Sequence, residues 1–171
     1  SFLSICKKAN LNVLIPADID QLCCATPWSS KGLTQGFEEM ALKTSSSILK
    51  HLKDPSIEVV SDASSCSHGL QGLLANTSIT TKDLVQFVTE SVLPKLEISK
   101  KVSTLALHPT CSGVEMGTNK FLNQIAQSIS DEVITALDWS CCGFAGDRGL
   151  LHPELTESRS EEHTSELQSR E

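Results

Sequence analysis

Seven cysteines occur in this 171-residue chain: Cys6, Cys23, Cys24, Cys66, Cys111, Cys141 and Cys142. Four of them stand as adjacent pairs, Cys23-Cys24 and Cys141-Cys142. Neighbouring thiols cannot bridge to one another without strain, and a disulfide to a distant partner uses only one of a pair. Something must therefore use both. Thiolates are soft metal ligands and good nucleophiles, so the chemistry on offer is metal binding or thiol exchange. The opening stretch SFLSICKKANLNVLIP lacks a signal-peptide layout. An oxidising compartment is then unsupported, and metal or thiol chemistry outranks a disulfide framework.

Zinc is a poor fit. Zinc sites favour C-x₂₋₄-C spacing, which does not occur here, and 42 positions separate Cys24 from Cys66 and 30 separate Cys111 from Cys141. An iron–sulfur cluster fits better, because two adjacent thiolates can reach neighbouring irons or one can bridge two. Gly143, beside the second pair, lets the backbone approach such a group closely. Lys31 and Arg148, each a few residues beyond a pair, would offset its negative charge together with a following helix N-terminus.

A lone cysteine is more often a small buried side chain than a ligand, and Cys6, in a predicted helix ending before Asn10, is read that way. Two pairs in duplicated loops reverse those odds. His68, His108 and His152 are read as orienting backbone or solvated rather than as ligands. Asp147 and Arg148 are read as a structural ion pair locking their loop. Trp28 and Trp139, flanking the pairs, serve packing at least as readily as they shield a site.

The elements that must hold these residues alternate. Asn12–Pro16, Ile57–Ser61, Val102–Leu107 and Glu132–Ala136 read as short buried strands. Helical patterns run over Gly36–Leu52, Asp83–Leu93 and Lys120–Ser130, the last with Leu122, Ile125, Ala126 and Ile129 on one face. The predicted fold is α/β, with two similar βαβ-type halves and mostly parallel strands. Six of the seven cysteines then fall in loops at the carboxyl ends of strands, where α/β folds place their sites.

The halves rhyme. LCCATPWSSKGL (Leu22 to Leu33) answers SCCGFAGDRGLL (Ser140 to Leu151), each a cysteine pair, a small-residue loop, then Lys-Gly-Leu or Arg-Gly-Leu. A site has been duplicated, and not only a fold. The expected division is a first half over 1–95 and a second over 96–158, with Leu93-Pro-Lys and Ser99-Lys-Lys near the boundary. Residues 159–171, RSEEHTSELQSRE, change abruptly in composition and resemble the conceptual translation of a sequencing-adapter oligonucleotide. Without them the chain carries 12 basic and 17 acidic residues, a net charge of −5. The expectation is a fragment whose native chain continued beyond Ser158.

Other functions are disfavoured. The full chain has 14 basic and 21 acidic residues, no Tyr and only 5 Phe and 2 Trp. That is neither a nucleic-acid footprint nor a base-stacking platform. No apolar run approaches the ~20 residues of a membrane span. Neither G-x-G-x-x-G, a P-loop nor a G-x-S-x-G elbow occurs, so no flavin, nucleotide or hydrolase site is expected in these residues.

The residues HPTCS (His108–Ser112), CCGFAGDRG (Cys141–Gly149), HPEL (His152–Leu155), SSKG after the first pair and D-x-S-S-C around Cys66 resemble the cysteine-rich CCG domain. That domain occurs in heterodisulfide reductase and in the iron–sulfur subunits of glycolate, lactate and glycerol-3-phosphate dehydrogenases. The pattern is most similar to the C-terminal region of FAD-linked, iron–sulfur D-lactate or D-2-hydroxy acid dehydrogenases, and the resemblance covers residues 1–158.

The resemblance implies a cluster of 4Fe-4S type, cubane or non-cubane. Its ligands would be Cys23, Cys24 and Cys66 in one copy and Cys111, Cys141 and Cys142 in the other. Gly143, Gly146 and Gly149 would shape the loop, and Arg148 would tune its charge. The chain departs from the pattern at Ala25, where CCA stands for CCG, and at Cys66, where one thiol replaces C-x-x-C. Each copy also lacks one outer cysteine.

The function implied is electron transfer within a respiratory dehydrogenase. FAD would lie on another domain or subunit. The partners would be that flavin-binding unit, a ferredoxin-like iron–sulfur domain and a respiratory electron acceptor, in the cytoplasm or on the inner face of the membrane. Disulfide reduction of the heterodisulfide reductase type and a metal-free, cysteine-rich docking domain are the alternatives.

Overall fold

A computed structural model of the chain describes residues 1–52, 54, 56–136, 139, 141 and 143–157. Cys142 and the tail 159–171 lie outside the described residues. The order is α1 (Phe2–Lys8), a 3₁₀ turn (Ile19–Gln21), α2 (Thr26–Ser29), α3 (Thr34–His51), β1 (Val59–Ser61), α4 (Ser64–Leu74) and β2 (Thr81–Asp83). There follow α5 (Leu84–Phe87), β3 (Val102–Leu107), α6 (Cys111–Glu115), α7 (Asn119–Ile129), β4 (Ser130–Thr135) and α8 (Arg148–Leu151). A π-turn over Val88–Val92 and a 3₁₀ turn over Leu93–Lys95 carry α5 onward.

The chain is α/β, and its strand pairs are parallel. β1 pairs with β2 in the register Val59↔Thr81 to Ser61↔Asp83, across α4. β3 pairs with β4 from Val102↔Ser130 to Leu107↔Thr135, across α6 and α7. Both are strand–helix–strand crossovers, the connection that parallel pairing requires. Helix α7 carries the apolar face expected over 120–130, which packs on both β3 and β4. Its Ser130 closes the helix, Oγ donating to the Ala126 carbonyl at 2.7 Å.

One expected strand is missing. Residues 12–16 form no ladder, and Val13, Leu14 and Ile15 are 43%, 60% and 56% exposed. An apolar run becomes a strand only where a neighbour accepts its hydrogen bonds, and among the described residues no strand pairs with this one. The strand expected over 57–61 shortens to β1. Strand β2 and helix α4 were not expected, because Thr-Lys-Asp has little apolar character and α4 contains two glycines.

The core is thin. Cys6, Ala9 and Val92 form its buried centre, with Phe2, Ile5, Leu11, Phe87, Val88 and Leu96 packed around them. Phe2 and Phe87 meet edge to face, with centroids 6.0 Å apart. Cys6 is thus the packed side chain expected of it, and burial pushes its thiol pKa up. Because α1 packs on the α5 segment, whose Thr89 Oγ1 donates to the Phe121 carbonyl of α7 at 3.2 Å, α1 and α7 are tied through this region.

Candidate functional site

The first cysteine pair enters on an irregular segment and needs an anchor. Thr44, buried on α3, provides it twice: its Oγ1 donates to the Cys23 carbonyl at 2.8 Å and accepts from the Cys23 N–H at 3.2 Å. Upstream, Ser47 on the same helix donates to Asp18 Oδ2 at 2.8 Å, which fixes the loop that leads to the pair. Asp18 is held below the usual carboxylate range, chiefly by that hydrogen bond.

The residue after each pair turns left-handed. Ala25 has φ 62° and Gly143 has φ 74°. Glycine adopts this conformation freely, whereas an alanine pays about 1–2 kcal/mol. The rhyme in sequence is therefore a rhyme in backbone, and the departure from CCG to CCA keeps the turn. Farther along the two copies diverge. Gly32 also has φ 71°, but Gly149 lies inside α8, where an added Cβ would come 2.9 Å from Phe144 Cα. Gly146, with φ 73°, makes the turn into α8. Arg148 is exposed at the start of that helix.

Cys66 does not sit in a loop as expected: it lies in the first turn of α4, at the carboxyl end of β1. Its neighbour Ser67 is buried and donates to Asp83 Oδ2 at 2.8 Å, while Asp83 Oδ1 accepts from the Val85 N–H at 3.0 Å. That clamp fixes α4 against β2 and so fixes Cys66. Gly69 brings α4 up to the pair, since a Cβ there would stand 2.5 Å from Thr26 Oγ1 and 2.8 Å from the Cys24 carbonyl. No side chain would fit.

Cys23, Cys24 and Cys66 are consequently neighbours, 42 residues of sequence separating the last two. Cys24 is 6% exposed and its thiol meets Thr26 Oγ1 at 3.4 Å. Burial raises the Cys24 pKa, but hydrogen bonds from Thr26, Cys66 and Cys23 outweigh it and leave the thiol below its ordinary value. Cys66 is pushed up to about 11, first by burial and then by Cys24 beside it. The two neighbouring thiols are thus shifted in opposite directions.

Among the described residues, no three or more His, Cys, Asp or Glu side chains close around a single ion position. A cluster asks less of its protein, because adjacent thiolates can ligate different irons. Three neighbouring soft thiols are the ligand type that such a group takes.

In the second copy Cys111 is the first residue of α6, not a loop residue, and Thr110 caps that helix by accepting from the Gly113 N–H at 3.1 Å. Cys141 Sγ accepts from the Gly143 N–H at 3.4 Å. Cys142 lies outside the described residues. Helix α4 packs on α6, and between them a cleft of about 190 Å³ is lined by Thr26, Ser65, His68, Ser112, Glu115 and Met116. The two cysteine-bearing helices thus face each other across one cleft. The periodicity of the sequence could not reveal this, because the contact joins separate halves.

The flanking residues resolve singly. His108 stacks edge to face on Trp139, with centroids 6.1 Å apart. His152 Nδ1 lies 3.1 Å from Glu154 Oε1. Trp28 packs under Gly36, where an added Cβ would run into its ring. Asp147 forms an ion pair, but with Lys31 of the other copy rather than with adjacent Arg148. Side chains that follow one another along a turn point apart, whereas the facing loop brings an ammonium within reach.

Residues 105–171 match the family model of the cysteine-rich domain CCG. Over 138 residues, 75% of its length, the chain is 25% identical to a subunit of the anaerobic glycerol-3-phosphate dehydrogenase of Escherichia coli (strain K12). The same subunit from Escherichia coli O157:H7 matches equally. The chain spans 35% of the length of these curated relatives. No solved structure matches it. No helix among the described residues is long and apolar enough to cross a membrane.

Proposed function

We propose that the chain is an iron–sulfur electron-transfer module of a FAD-linked dehydrogenase. The observation that carries this reading is the convergence of Cys23, Cys24 and Cys66 beside a CCG domain. In the first copy these three would ligate the cluster, and in the second Cys111, Cys141 and Cys142 would do so. A bound cluster supplies one-electron uptake and release.

The chain's own residues hold the ligands. Thr44 fixes the backbone of Cys23, Asp83 fixes the helix of Cys66 through Ser67, and Gly69 admits that helix to the pair. Gly143 and Gly146 provide the left-handed turns of the second loop, Gly149 lets α8 close on Phe144, and Arg148 contributes positive charge. The proposed cluster type is 4Fe-4S, and the FAD belongs on a separate domain or subunit.

The CCGFAGDRG, HPTCS and HPEL motifs favour D-lactate or another D-2-hydroxy acid as the substrate of the whole enzyme. The curated relatives are named for glycerol 3-phosphate. Both are secondary alcohols whose oxidation to a ketone delivers two electrons to a flavin, so the same module serves either. Flavin-binding and ferredoxin-like units would be its partners, with a respiratory acceptor beyond them, in the cytoplasm or at the inner face of the membrane.

The test is anaerobic reduction of the complete dehydrogenase with D-lactate or glycerol 3-phosphate, followed by low-temperature electron paramagnetic resonance. An iron–sulfur signal that Cys24→Ser removes is expected. Undiminished signal and electron flow in that variant would overturn the reading. Disulfide reduction remains the second reading, on the strength of the cleft between α4 and α6, and turnover of a disulfide substrate separates it.

A further inference from the structure

We propose that the chain self-associates, two copies pairing antiparallel through their exposed segments at residues 12–16. This inference does not rest on the cluster proposed above.

The segment has what a strand needs except a neighbour. Val13, Leu14 and Ile15 are exposed, and among the described residues no hydrogen bond takes up a backbone N–H or C=O of Asn12, Val13, Leu14 or Ile15. Side chains alternate between the two faces of a strand, so both faces of this run are apolar. Leu3 and Ile19, 48% and 52% exposed, add to its apolar surface. A groove of about 290 Å³ adjoins it, lined by Leu3, Lys7, Asn10, Leu11, Asn12 and Val13. Open backbone groups beside exposed apolar side chains are a template for another strand.

The residues of the segment single out a second copy as that strand. Laid antiparallel on itself and centred on Leu14, the segment sets Leu14 opposite Leu14, Val13 opposite Ile15 and Asn12 opposite Pro16. With Leu14 at a non-hydrogen-bonded position, Val13 and Ile15 of the two copies exchange both N–H···O bonds, twice over across the two-fold axis. Pro16, which has no N–H, then falls at a non-hydrogen-bonded position, where no donor is called for. The ladder stops at Leu11, whose N–H already donates to the Cys6 carbonyl at 2.9 Å. Charge agrees with this direction. Lys7 and Lys8 precede the segment and Asp20 follows it, all three exposed. Antiparallel pairing brings the basic end of each copy to the acidic end of the other, whereas parallel pairing would set like charges together. The contact is short, so the association is reversible and concentration-dependent.

The experiment is sedimentation equilibrium of the full, iron-free chain over a concentration series, kept reduced so that no disulfide links two copies. The expected mass rises from that of one chain toward twice that value. Leu14→Asp should hold the chain at the single-copy mass, with an unchanged circular dichroism spectrum showing that it still folds. Lys8→Asp and Asp20→Lys should each weaken association severalfold, and the two together should restore it. Amide exchange followed by nuclear magnetic resonance should slow at Val13 and Ile15 as the dimer forms and stay fast at Leu14, whose N–H points away from the other copy. A single-copy mass at every concentration would overturn the proposal. So would a dimer indifferent to Leu14→Asp, or one whose protection leaves out Val13 and Ile15. Protection of these two amides only within the complete dehydrogenase would also sink it, and would assign the place to a strand of another unit.

Discussion

Lys31 and Asp147 form an ion pair between the two cysteine loops, although 116 positions separate them in sequence. Each lies a few residues beyond a cysteine pair, so the contact joins the loops that follow the two pairs. The pairing holds the Asp147 carboxyl below its usual range, chiefly through the hydrogen bond from Lys31. Both side chains are about half-exposed, so solvent and salt screen them. A double-mutant cycle with Lys31→Met and Asp147→Asn should give a small favourable coupling that fades at high salt. A coupling unchanged by salt would contradict this description.

Thr44 predicts a larger effect. Thr44→Val keeps the shape but removes both hydrogen bonds to Cys23, leaving part-buried backbone groups unsatisfied. Denaturant unfolding should show a loss of about 1–3 kcal/mol, and the reduced variant should bind iron less fully.

The Ser67–Asp83 clamp gives a third test. Ser67→Ala strips a buried carboxylate of a hydrogen bond worth about 1.5–3 kcal/mol. Unfolding should register that loss, and alkylation of Cys66 should speed up as α4 loosens.

The left-handed turns make opposite predictions in the two copies. Ala25→Gly relieves about 1–2 kcal/mol of backbone cost and forfeits a buried methyl worth about 0.8 kcal/mol, so its stability should hold or rise slightly. Gly143→Ala should lower stability by about 1 kcal/mol. Thermal unfolding of both variants checks the contrast.

Acid should weaken the fold. Lys82 pairs with Glu58 at 2.6 Å and Glu90 at 2.9 Å, and Glu90 is held below its ordinary pKa, first by the hydrogen bond from Lys82. A carboxylate with a depressed folded-state pKa adds stability above its unfolded value, about 4.3. That stability is lost as pH falls through the folded value. Unfolding measured across this window should show an acid-sensitive part that shrinks in Lys82→Met.

Much of this was legible in the sequence, for physical reasons. Long amphipathic stretches declare themselves, so α3, the α5 segment and α7 fall where their apolar spacing puts them, as do β3 and β4. Residues 12–16 misled because an apolar run signals burial without saying that a partner strand is at hand. Helix α4 was hidden by Gly69 and Gly72, the first of which serves close approach to Cys24 rather than helix formation. At the site, the paired cysteines were plain. The meeting of Cys66 with Cys24, the Thr44 and Asp83 clamps, and the Lys31–Asp147 pair are tertiary, and no local pattern encodes them.

The central claim is that the first-copy thiols bind a cluster. Anaerobic reconstitution with iron and sulfide, followed by iron and acid-labile sulfide analysis with an absorption spectrum, tests it most directly when run beside a Cys24→Ser, Cys66→Ser double variant. Iron and sulfide in near-equal amounts, reduced in that variant, is the predicted result. Identical metal and sulfide content in the two proteins, or none in either, would contradict it.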